Sequence, residues 1–253
     1  MKSVITLDRP HAKGARAFRD QHELPPYQQL LRDTVEWLNP GPGERWLDLG
    51  CGNGQLSRAL WVKSGGRVEA IIGVDVEEAS EKAFAALRAT LNPTPTPMCL
   101  RFVARDFAKG FADWPGDQFA GIVSALALPY AESSDVNGVW TETAYDRVLT
   151  EVHRLLRPGG AFVFSVNVPE PSWSRIAWHS VSASFRTARP LRSLKSAWRM
   201  WSYARWLTQE SRHGRFHYLP IEAVIEKLTA ARFVRIEHRI SYAGQAYVVR
   251  CWK

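Results

Sequence analysis

A loop with three glycines at alternate positions, within RWLDLGCGNGQLSRAL at residues 45–60, is the stretch of this chain best suited to bind a ligand. It lies between a short apolar run and a segment with helical spacing. Such loops place backbone N–H groups at a helix N-terminus, where anionic or nucleotide-like ligands bind. Asp75 ends the next apolar run, at a distance where a carboxylate accepts hydrogen bonds from ribose hydroxyls. The pattern therefore predicts a ribose-bearing ligand.

The glycine spacing disfavours a dinucleotide. The dinucleotide fingerprint, G-x-G-x-x-G, uses its last glycine to let helix and strand pack closely. Counted from Gly50, that last position is Gln55, and counted from Gly52 it is Ser57. The expected ligand therefore carries a ribose but no pyrophosphate.

Alternating strands and helices are expected to position this loop. Five apolar runs predict buried strands, at residues 45–49, 68–74, 100–104, 121–126 and 161–166. Helical spacing of apolar residues predicts helices at residues 27–38, 55–62, 77–90 and 145–156. This alternation is typical of a doubly wound α/β fold, a mostly parallel sheet covered by helices on both faces.

The end of the chain follows a different pattern. A helix is predicted at residues 221–230, followed by strands at residues 233–239 and 246–252. Because the connection near Gly244 is short, these two strands are expected to be antiparallel neighbours. We therefore expect a seven-stranded sheet with an antiparallel last strand at its edge.

Composition places the chain among globular proteins. It has 253 residues, of which 45% are hydrophobic and 23% charged, as in one α/β domain with an elaboration. The sequence shows no apolar run of membrane-spanning length and no apolar secretory segment. Its three cysteines are too few and too scattered for a disulfide framework or a metal site. We therefore expect a cytoplasmic protein without a metal.

A basic, tryptophan-rich insert is predicted at residues 169–219. Nine basic side chains and one acid between residues 171 and 219 account for the net charge of +8. Helical spacing over residues 191–207 would place Trp198 and Trp201 on one face, flanked by basic side chains. Three functions fit this insert: a cap over a substrate pocket, a helix on an anionic membrane that serves a lipid-like acceptor, or an RNA-binding surface.

Five blocks of sequence occur in an order that resembles a known family. The blocks are LDLGCGNG, IIGVD, VARDF, GIVSALALPYAE and LTEVHRLLRPGGAFVFSV. Together they resemble the class I S-adenosylmethionine-dependent methyltransferases, over residues 44–168 and again from residue 220 onward. The resemblance implies a Rossmann-like fold with S-adenosylmethionine as the cofactor.

The resemblance also implies a role for each residue of the cofactor site. Asp48 would orient the methionine ammonium, while the glycine backbone would approach the amino acid and the ribose closely. Asp75 would bind the ribose hydroxyls, Asp106 would bind the adenine amine, and the Phe107 ring would lie against the adenine. The expected cofactor-binding residues are Asp48, Gly50, Cys51, Gly52, Gly54, Asp75, Val76, Asp106, Phe107, Ser124 and Ala125.

Some of these residues also have a purely structural interpretation. An aspartate at a strand end, such as Asp106, often caps a turn, and Phe107 is equally typical of a core. Cys51 is not expected to act as a nucleophile, because the sequence shows no histidine partner for it. Methyl transfer from a sulfonium depends mainly on alignment, so no catalytic residue is assigned.

The acceptor is expected to be a small molecule. The polar residue, two prolines and aromatic of DNA amino-methyltransferases are replaced here by residues 127–130, Ala-Leu-Pro-Tyr, so DNA is not an expected substrate. An apolar or acidic acceptor would bind beside Tyr27, Tyr130, Trp173 and His179. The alternatives are an RNA methyltransferase and a non-catalytic cofactor-binding module.

Four regions follow from these predictions. A helical segment at residues 1–43 would cover the pocket, and residues 44–168 would form the cofactor-binding core. Residues 169–219 would form the insert, a helical cap, and residues 220–253 would complete the core. The sequence also allows a peripheral contact of the insert with an anionic membrane.

Overall fold

A seven-stranded sheet forms the centre of the fold. The computed structural model describes residues 25–77, 79–172 and 205–253. The strands are β1 (Arg45–Leu49), β2 (Ala70–Asp75), β3 (Leu100–Ala104), β4 (Phe119–Ala125), β5 (Leu156–Asn167), β6 (Val234–Ser241) and β7 (Ala246–Trp252). The helices are α1 (Pro25–Glu36), α2 (Gln55–Lys63), α3 (Ala79–Thr90), α4 (Thr143–Leu155) and α5 (Ile221–Ala230). Residues 205–212 are also helical.

The strand order is β3-β2-β1-β4-β5-β7-β6, which confirms the predicted doubly wound α/β fold. Strands β1 to β5 pair in parallel, and β7 is antiparallel to both β5 and β6. The strand order reverses beside β1, which lies between β2 and β4. Ligands of open α/β sheets bind outside the carboxyl ends of the strands at such a reversal.

The position of the antiparallel strand differs from the prediction. The last strand, β7, lies between β5 and β6, so β6 forms the edge of the sheet. Most residues of β6 are exposed, whereas β7 is mainly buried. The more apolar strand of the hairpin therefore occupies the interior position, because burial of its side chains on both faces is favourable there.

Strand β5 begins earlier than predicted, at Leu156, which pairs with Phe119 of β4. The sequence Arg-Pro-Gly-Gly that follows was expected to be a loop that ends the preceding helix. Instead, the Gly159 N–H donates to the Lys253 carbonyl at 3.1 Å, and the Lys253 N–H donates to the Gly160 carbonyl at 3.0 Å. Lys253 thus extends the hydrogen-bond ladder between β5 and β7. A local sequence pattern could not predict this pairing, because Lys253 is distant in the chain.

Alternation along β1 assigns its side chains to the two covered faces of the sheet. Leu47 and Leu49 join the largest apolar cluster, which also contains residues of α4 and α5. Trp46 joins a second cluster with residues of α2 and α3. Asp48 alternates with the two leucines and therefore points to the face of Trp46, under the start of α2.

Several predictions about the insert fall outside the described residues. They concern Trp173, His179 and most of the helix predicted at residues 191–207. The described part of the chain contains no helix that is long and apolar enough to span a membrane. That same part contains no group of three or more His, Cys, Asp or Glu residues placed to hold a metal ion.

Candidate active site

The glycine loop connects β1 to α2 and is tied to the end of β2. The N–H groups of Gly50 and Cys51 donate to the Val74 carbonyl at 2.8 and 3.1 Å. The Gly52 N–H donates to Oδ2 of Asp75 at 2.9 Å. These bonds hold the ends of β1 and β2 together at the carboxyl edge of the sheet, where the sequence predicted the cofactor.

The three glycines of the loop have different roles. Each has a positive φ, 66° at Gly50, 46° at Gly52 and 74° at Gly54, which glycine adopts at little cost. A Cβ at Gly50 would lie 2.2 Å from the Ala127 Cβ, and one at Gly54 would lie 2.9 Å from the Phe84 ring. A Cβ at Gly52 would meet no atom within 4 Å. Packing thus requires the outer two glycines, whereas Gly52 borders open space that fits a bound molecule.

Asp75 presents its carboxylate beside that space. Its Oδ2 accepts from the Gly52 N–H, and its Oδ1 accepts from the Glu77 N–H at 3.0 Å. Burial raises the pKa of Asp75, and these backbone hydrogen bonds oppose the shift. Each oxygen keeps a further lone pair, so the carboxylate can accept both hydroxyls of a ribose. The next residue, Val76, is 38% exposed and offers an apolar surface at the same edge.

Asp48 is enclosed beneath the start of α2, where its Oδ2 accepts from the Ser57 hydroxyl at 2.7 Å and from the Ser57 N–H at 3.0 Å. Burial raises the pKa of Asp48 to about 7, although both hydrogen bonds from Ser57 oppose the shift. A cation beside Asp48 would stabilise the carboxylate, as the predicted contact with an ammonium requires. Burial also raises the pKa of the Cys51 thiol, so Cys51 is not an activated nucleophile.

Asp106 and Phe107 lie in a short turn after β3. Oδ1 of Asp106 accepts from the Ala108 N–H at 3.0 Å, so the side chain caps the 3-10 turn at Phe107–Lys109. The Phe107 ring is 8% exposed, and its edge lies 3.6 Å from the position of a Cβ at Gly50. The cap thus holds an aromatic ring against the glycine loop. Contact of these two residues with adenine stays a prediction.

Ser124 and Ala125 end β4 beside β1. The Ser124 hydroxyl donates to the Leu49 carbonyl at 2.9 Å, and the side chain is fully buried. This bond fixes β4 to β1 next to the glycine loop. Ala125 packs against the apolar cluster under α2 and α3. Contact of either residue with the cofactor stays a prediction.

Four tyrosines, here called the tyrosine cluster, connect to this site: Tyr27, Tyr130, Tyr218 and Tyr242. Tyr27 packs edge-on against Tyr242 with ring centroids 6.5 Å apart, and the hydroxyls of Tyr130 and Tyr218 are 2.9 Å apart. Burial raises the pKa of Tyr242, and its proximity to Tyr27 and Tyr218 adds to the shift. Burial raises the pKa of Tyr27 to about 12, with a contribution from the Asp48 charge. Tyr27 and Tyr242 pack with Leu126, the residue after β4, so this pair lies at the carboxyl edge of the sheet.

The sequence predicted two members of this cluster, Tyr27 and Tyr130, and missed Tyr218 and Tyr242. Tyr242 begins the turn between β6 and β7, and Tyr218 lies at the end of the insert. Because β5 and β6 are both antiparallel to β7, the end of β6 lies at the same edge as the end of β5. The signal that could have identified Tyr242 was its place at the end of β6, because this end lies at the edge that carries the site. A buried tyrosine by itself is typical of a core.

Comparison with known proteins agrees with this geometry. A family model described as a methyltransferase domain matches residues 47–164. This region of the chain is similar to methyltransferase domains. The matched region runs from β1 into β5 and contains the glycine loop, Asp75 and Asp106. The resemblance predicted from the sequence is therefore confirmed. No curated protein sequence matches the chain at a significant level.

Solved structures share the fold of the methyltransferase domain and its flanking elements. An S-adenosylmethionine-dependent methyltransferase from Mesorhizobium loti has 22% identity and a TM-score of 0.56, over 88% of this chain and 96% of that one. A relative from Aquifex aeolicus has 12% identity and a TM-score of 0.57, over 97% and 99%. Haemonchus contortus phosphoethanolamine N-methyltransferase 2, in complex with S-adenosyl-L-methionine, has 13% identity and a TM-score of 0.60, over 95% and 56%.

Proposed function

We propose that this protein transfers a methyl group from S-adenosylmethionine to a small-molecule acceptor. The observation that carries the proposal is the tyrosine cluster, in which Tyr27 and Tyr242 pack with Leu126 directly after the end of β4. Buried aromatic side chains next to a cofactor site favour an enclosed, mainly apolar pocket over an open groove. Such a pocket fits a small molecule better than a polymer.

The residues at the carboxyl edge fit the cofactor. When bound, S-adenosylmethionine supplies a sulfonium methyl group for an in-line displacement by the acceptor. Asp75 offers lone pairs to the ribose, and Asp48 offers a carboxylate to the ammonium. Gly52 leaves room for the ligand backbone, and the Phe107 ring offers a surface to the adenine. The contribution of the protein is alignment, which lowers the barrier by holding the reacting groups in place.

The tyrosine hydroxyls act as neutral hydrogen-bonding groups in this proposal. Burial raises the pKa of Tyr27 to about 12 and raises the pKa values of Tyr218 and Tyr242 as well. These phenols therefore stay protonated near neutral pH and do not serve as bases. An acceptor atom that already has an available lone pair needs no general base.

The two ends of the insert support its assignment as a cap over the acceptor. At its start, the Val168 N–H donates to the Gln245 carbonyl at 3.1 Å, and the Gln245 side chain accepts from the Ser172 N–H. At its end, the His217 N–H donates to the Pro129 carbonyl at 3.0 Å. Both anchors lie beside members of the tyrosine cluster. The basic insert would also suit contact with an anionic membrane, which sedimentation with anionic vesicles at low salt would test.

The test is transfer of a radiolabelled methyl group from S-adenosylmethionine into an extract of the cells that express the protein. The label is then counted in organic-soluble, polar small-molecule, RNA and protein fractions. We expect it in a small-molecule fraction. Asp75→Ala should lower the label by about tenfold or more, because it removes the ribose acceptor. The exposed Glu81→Ala, in α3, is the matched acidic control and should leave the label unchanged.

The other outcomes separate the alternatives. Label in RNA would contradict the proposal and favour an RNA methyltransferase, which should bind polyanions with a steep salt dependence. Cofactor binding by calorimetry without transfer to any fraction would contradict it in favour of a non-catalytic binding module.

A further inference from the structure

His217 lies at the end of the insert, where its ring is buried against the core. The residue is 4% exposed, and its backbone N–H donates to the Pro129 carbonyl at 3.0 Å. Its ring packs edge-on against the Tyr145 ring of α4, with the ring centroids 5.8 Å apart. A histidine can gain a proton near neutral pH, so its burial at a point of attachment can make that attachment depend on pH.

The hydrogen bonds of this ring fit its neutral form. The ring donates to the backbone of Ala131, whereas its Nε2 is buried and has no hydrogen-bond partner in the described structure. The Tyr145 hydroxyl is buried and unpaired as well, so it does not bond to Nε2. A neutral imidazole has one N–H, but a protonated one has two. Protonation would therefore leave a charged N–H buried without an acceptor, which is unfavourable.

The charged groups that act on this ring lie at the start of α4 and on α5. They are Glu142, Asp146 and Lys227. Lys227 Nζ lies 2.7 Å from a carboxylate oxygen of each acid and 5.9 Å from the centroid of the Tyr145 ring, so both acids are already paired. Burial, the largest influence, lowers the pKa of His217, and Lys227 adds to this shift while the two acids oppose it. The neutral ring is therefore the form that fits this environment.

The two neighbours of His217 in the chain belong to the same attachment. Phe216 packs edge-on against the Tyr130 ring, with the ring centroids 4.9 Å apart. The Tyr218 hydroxyl lies 2.9 Å from the Tyr130 hydroxyl. Residues 216–218 thus hold the end of the insert on the turn at Leu128–Tyr130, which follows β4. Release of His217 would therefore withdraw Tyr218 from the tyrosine cluster.

We propose that His217 is a pH-sensitive latch, whose neutral ring holds the end of the insert on the core and whose protonation releases that end. The pKa of the buried ring is lowered, whereas a released ring would have the ordinary pKa of 6.5. The released form therefore binds the proton more tightly, so release is favoured as pH falls below 6.5 and is suppressed above it. The latch itself is independent of the proposed function. Only its effect on methyl transfer rests on that function, because release would move Tyr218 away from the acceptor.

The test is hydrogen exchange of the full-length protein, measured by mass spectrometry at pH 7.5 and at pH 5.5. Protection factors, which correct for the direct effect of pH on exchange, are compared for residues 213–219 and for β4. At pH 5.5 the wild type should lose about fivefold to tenfold of its protection at residues 213–219, because a released pKa of about 6.5 limits the change to about tenfold. The protection of β4 should not fall, because the core stays folded.

Variants at two histidines make the comparison specific. His217→Asn keeps a side-chain N–H for Ala131 but cannot gain a proton, so the loss of protection at pH 5.5 should disappear. His217→Gln is a second non-ionisable variant, to be used if the asparagine does not fold. His153→Asn is the matched control, since His153 of α4 also packs edge-on against an aromatic ring, that of Phe233 at 5.2 Å, and burial also lowers its pKa. This control should lose protection as the wild type does.

Three outcomes would overturn the latch. The wild type keeps its protection at pH 5.5, the variants at His217 lose protection as the wild type does, or β4 loses protection equally, which indicates unfolding of the whole protein. These results would leave the small-molecule function standing when labelled methyl groups still enter a small-molecule fraction. Label in RNA would instead remove the proposed function, and the exchange experiment would still decide the latch.

Discussion

At the residue scale, burial sets the chemistry of the two aspartates beside the glycine loop. Asp75 holds the loop through the Gly52 N–H and keeps lone pairs for a ligand. Asp48 is more deeply enclosed, and burial raises its pKa to about 7. Binding of a proton to the Asp48 carboxylate is therefore favoured, and in the proposed function the cofactor ammonium would stabilise the ionised carboxylate instead.

Asp48→Asn should change how stability depends on pH. The folded-state pKa of about 7 lies above the ordinary value of 3.8, so protonation favours the folded wild type. Its stability relative to the variant should therefore fall as pH rises from 4 to 7 and then stay constant. Between pH 5 and pH 8 the relative loss should be on the order of 3 kcal/mol. Urea denaturation of both proteins, followed by tryptophan fluorescence, measures it.

The comparison with Asp48→Asn removes the effect of every other titrating group. The asparagine can still accept from the Ser57 hydroxyl, so the two proteins differ mainly in the ionisable group. A stability difference that does not vary between pH 5 and pH 8 would show that Asp48 is ionised throughout.

Sequence patterns identified the glycine loop together with Asp75, but only two of the four members of the tyrosine cluster. Gly52 and Asp75 could be predicted because the loop and the strand end follow one another in the chain. Tyr218 and Tyr242 could not, since they reach the site from the end of the insert and from the β6–β7 turn. Their positions beside the site depend on neighbours that are distant in sequence.

At the element scale, the connection between β1 and α2 combines packing with ligand access. Gly50 and Gly54 let the loop approach Ala127 and Phe84, whereas Gly52 borders empty space. The loop is therefore fixed by the protein on two sides and open on a third. A substitution of Gly52 therefore tests ligand binding without a change in the packing of the loop.

Gly52→Ala should weaken cofactor binding more than it weakens the fold. Gly43 is the matched control, because its φ of 72° is also positive and a Cβ there would meet nothing within 4 Å. Each alanine should cost about 1 kcal/mol or slightly more of stability from the positive φ alone. Calorimetry with S-adenosylmethionine should show about tenfold weaker binding for Gly52→Ala and wild-type affinity for Gly43→Ala. Equal affinities of the two variants would place the ligand elsewhere.

The bounds of the strands show for which elements the local sequence pattern is sufficient for prediction. β1, β3 and β7 have the predicted bounds, because each is a short apolar run ended by polar residues or glycine. β5 was predicted too short, since its first residues pair with Phe119 and with the chain end around Lys253. Pairing with a distant segment thus keeps these residues in the strand, although a proline followed by two glycines is typical of a loop.

At the scale of the whole molecule, the insert begins and ends at the edge that carries the site. Its end is held by Arg215, whose guanidinium lies 3.1 Å from Glu132 and 3.0 Å from Glu210. The same guanidinium lies over the rings of Trp140 and Trp206 at 5.1 and 5.7 Å. Together, these ion pairs and ring contacts of one partly buried guanidinium attach the end of the insert to the core. This attachment fixes Tyr218 of the tyrosine cluster next to the core.

Arg215→Gln should therefore lower methyl transfer without loss of cofactor affinity. We expect about tenfold less label in the small-molecule fraction, because the acceptor side is no longer held in place. Hydrogen exchange of residues 205–218, measured by mass spectrometry, should become faster. Arg250→Gln is the control, since Arg250 of β7 also pairs with an acid, Glu237, and also lies over two tryptophan rings, Trp37 and Trp252, none of which belongs to the insert. If both variants reduce transfer equally, or if Arg215→Gln weakens S-adenosylmethionine binding, the insert does not act on the acceptor side alone.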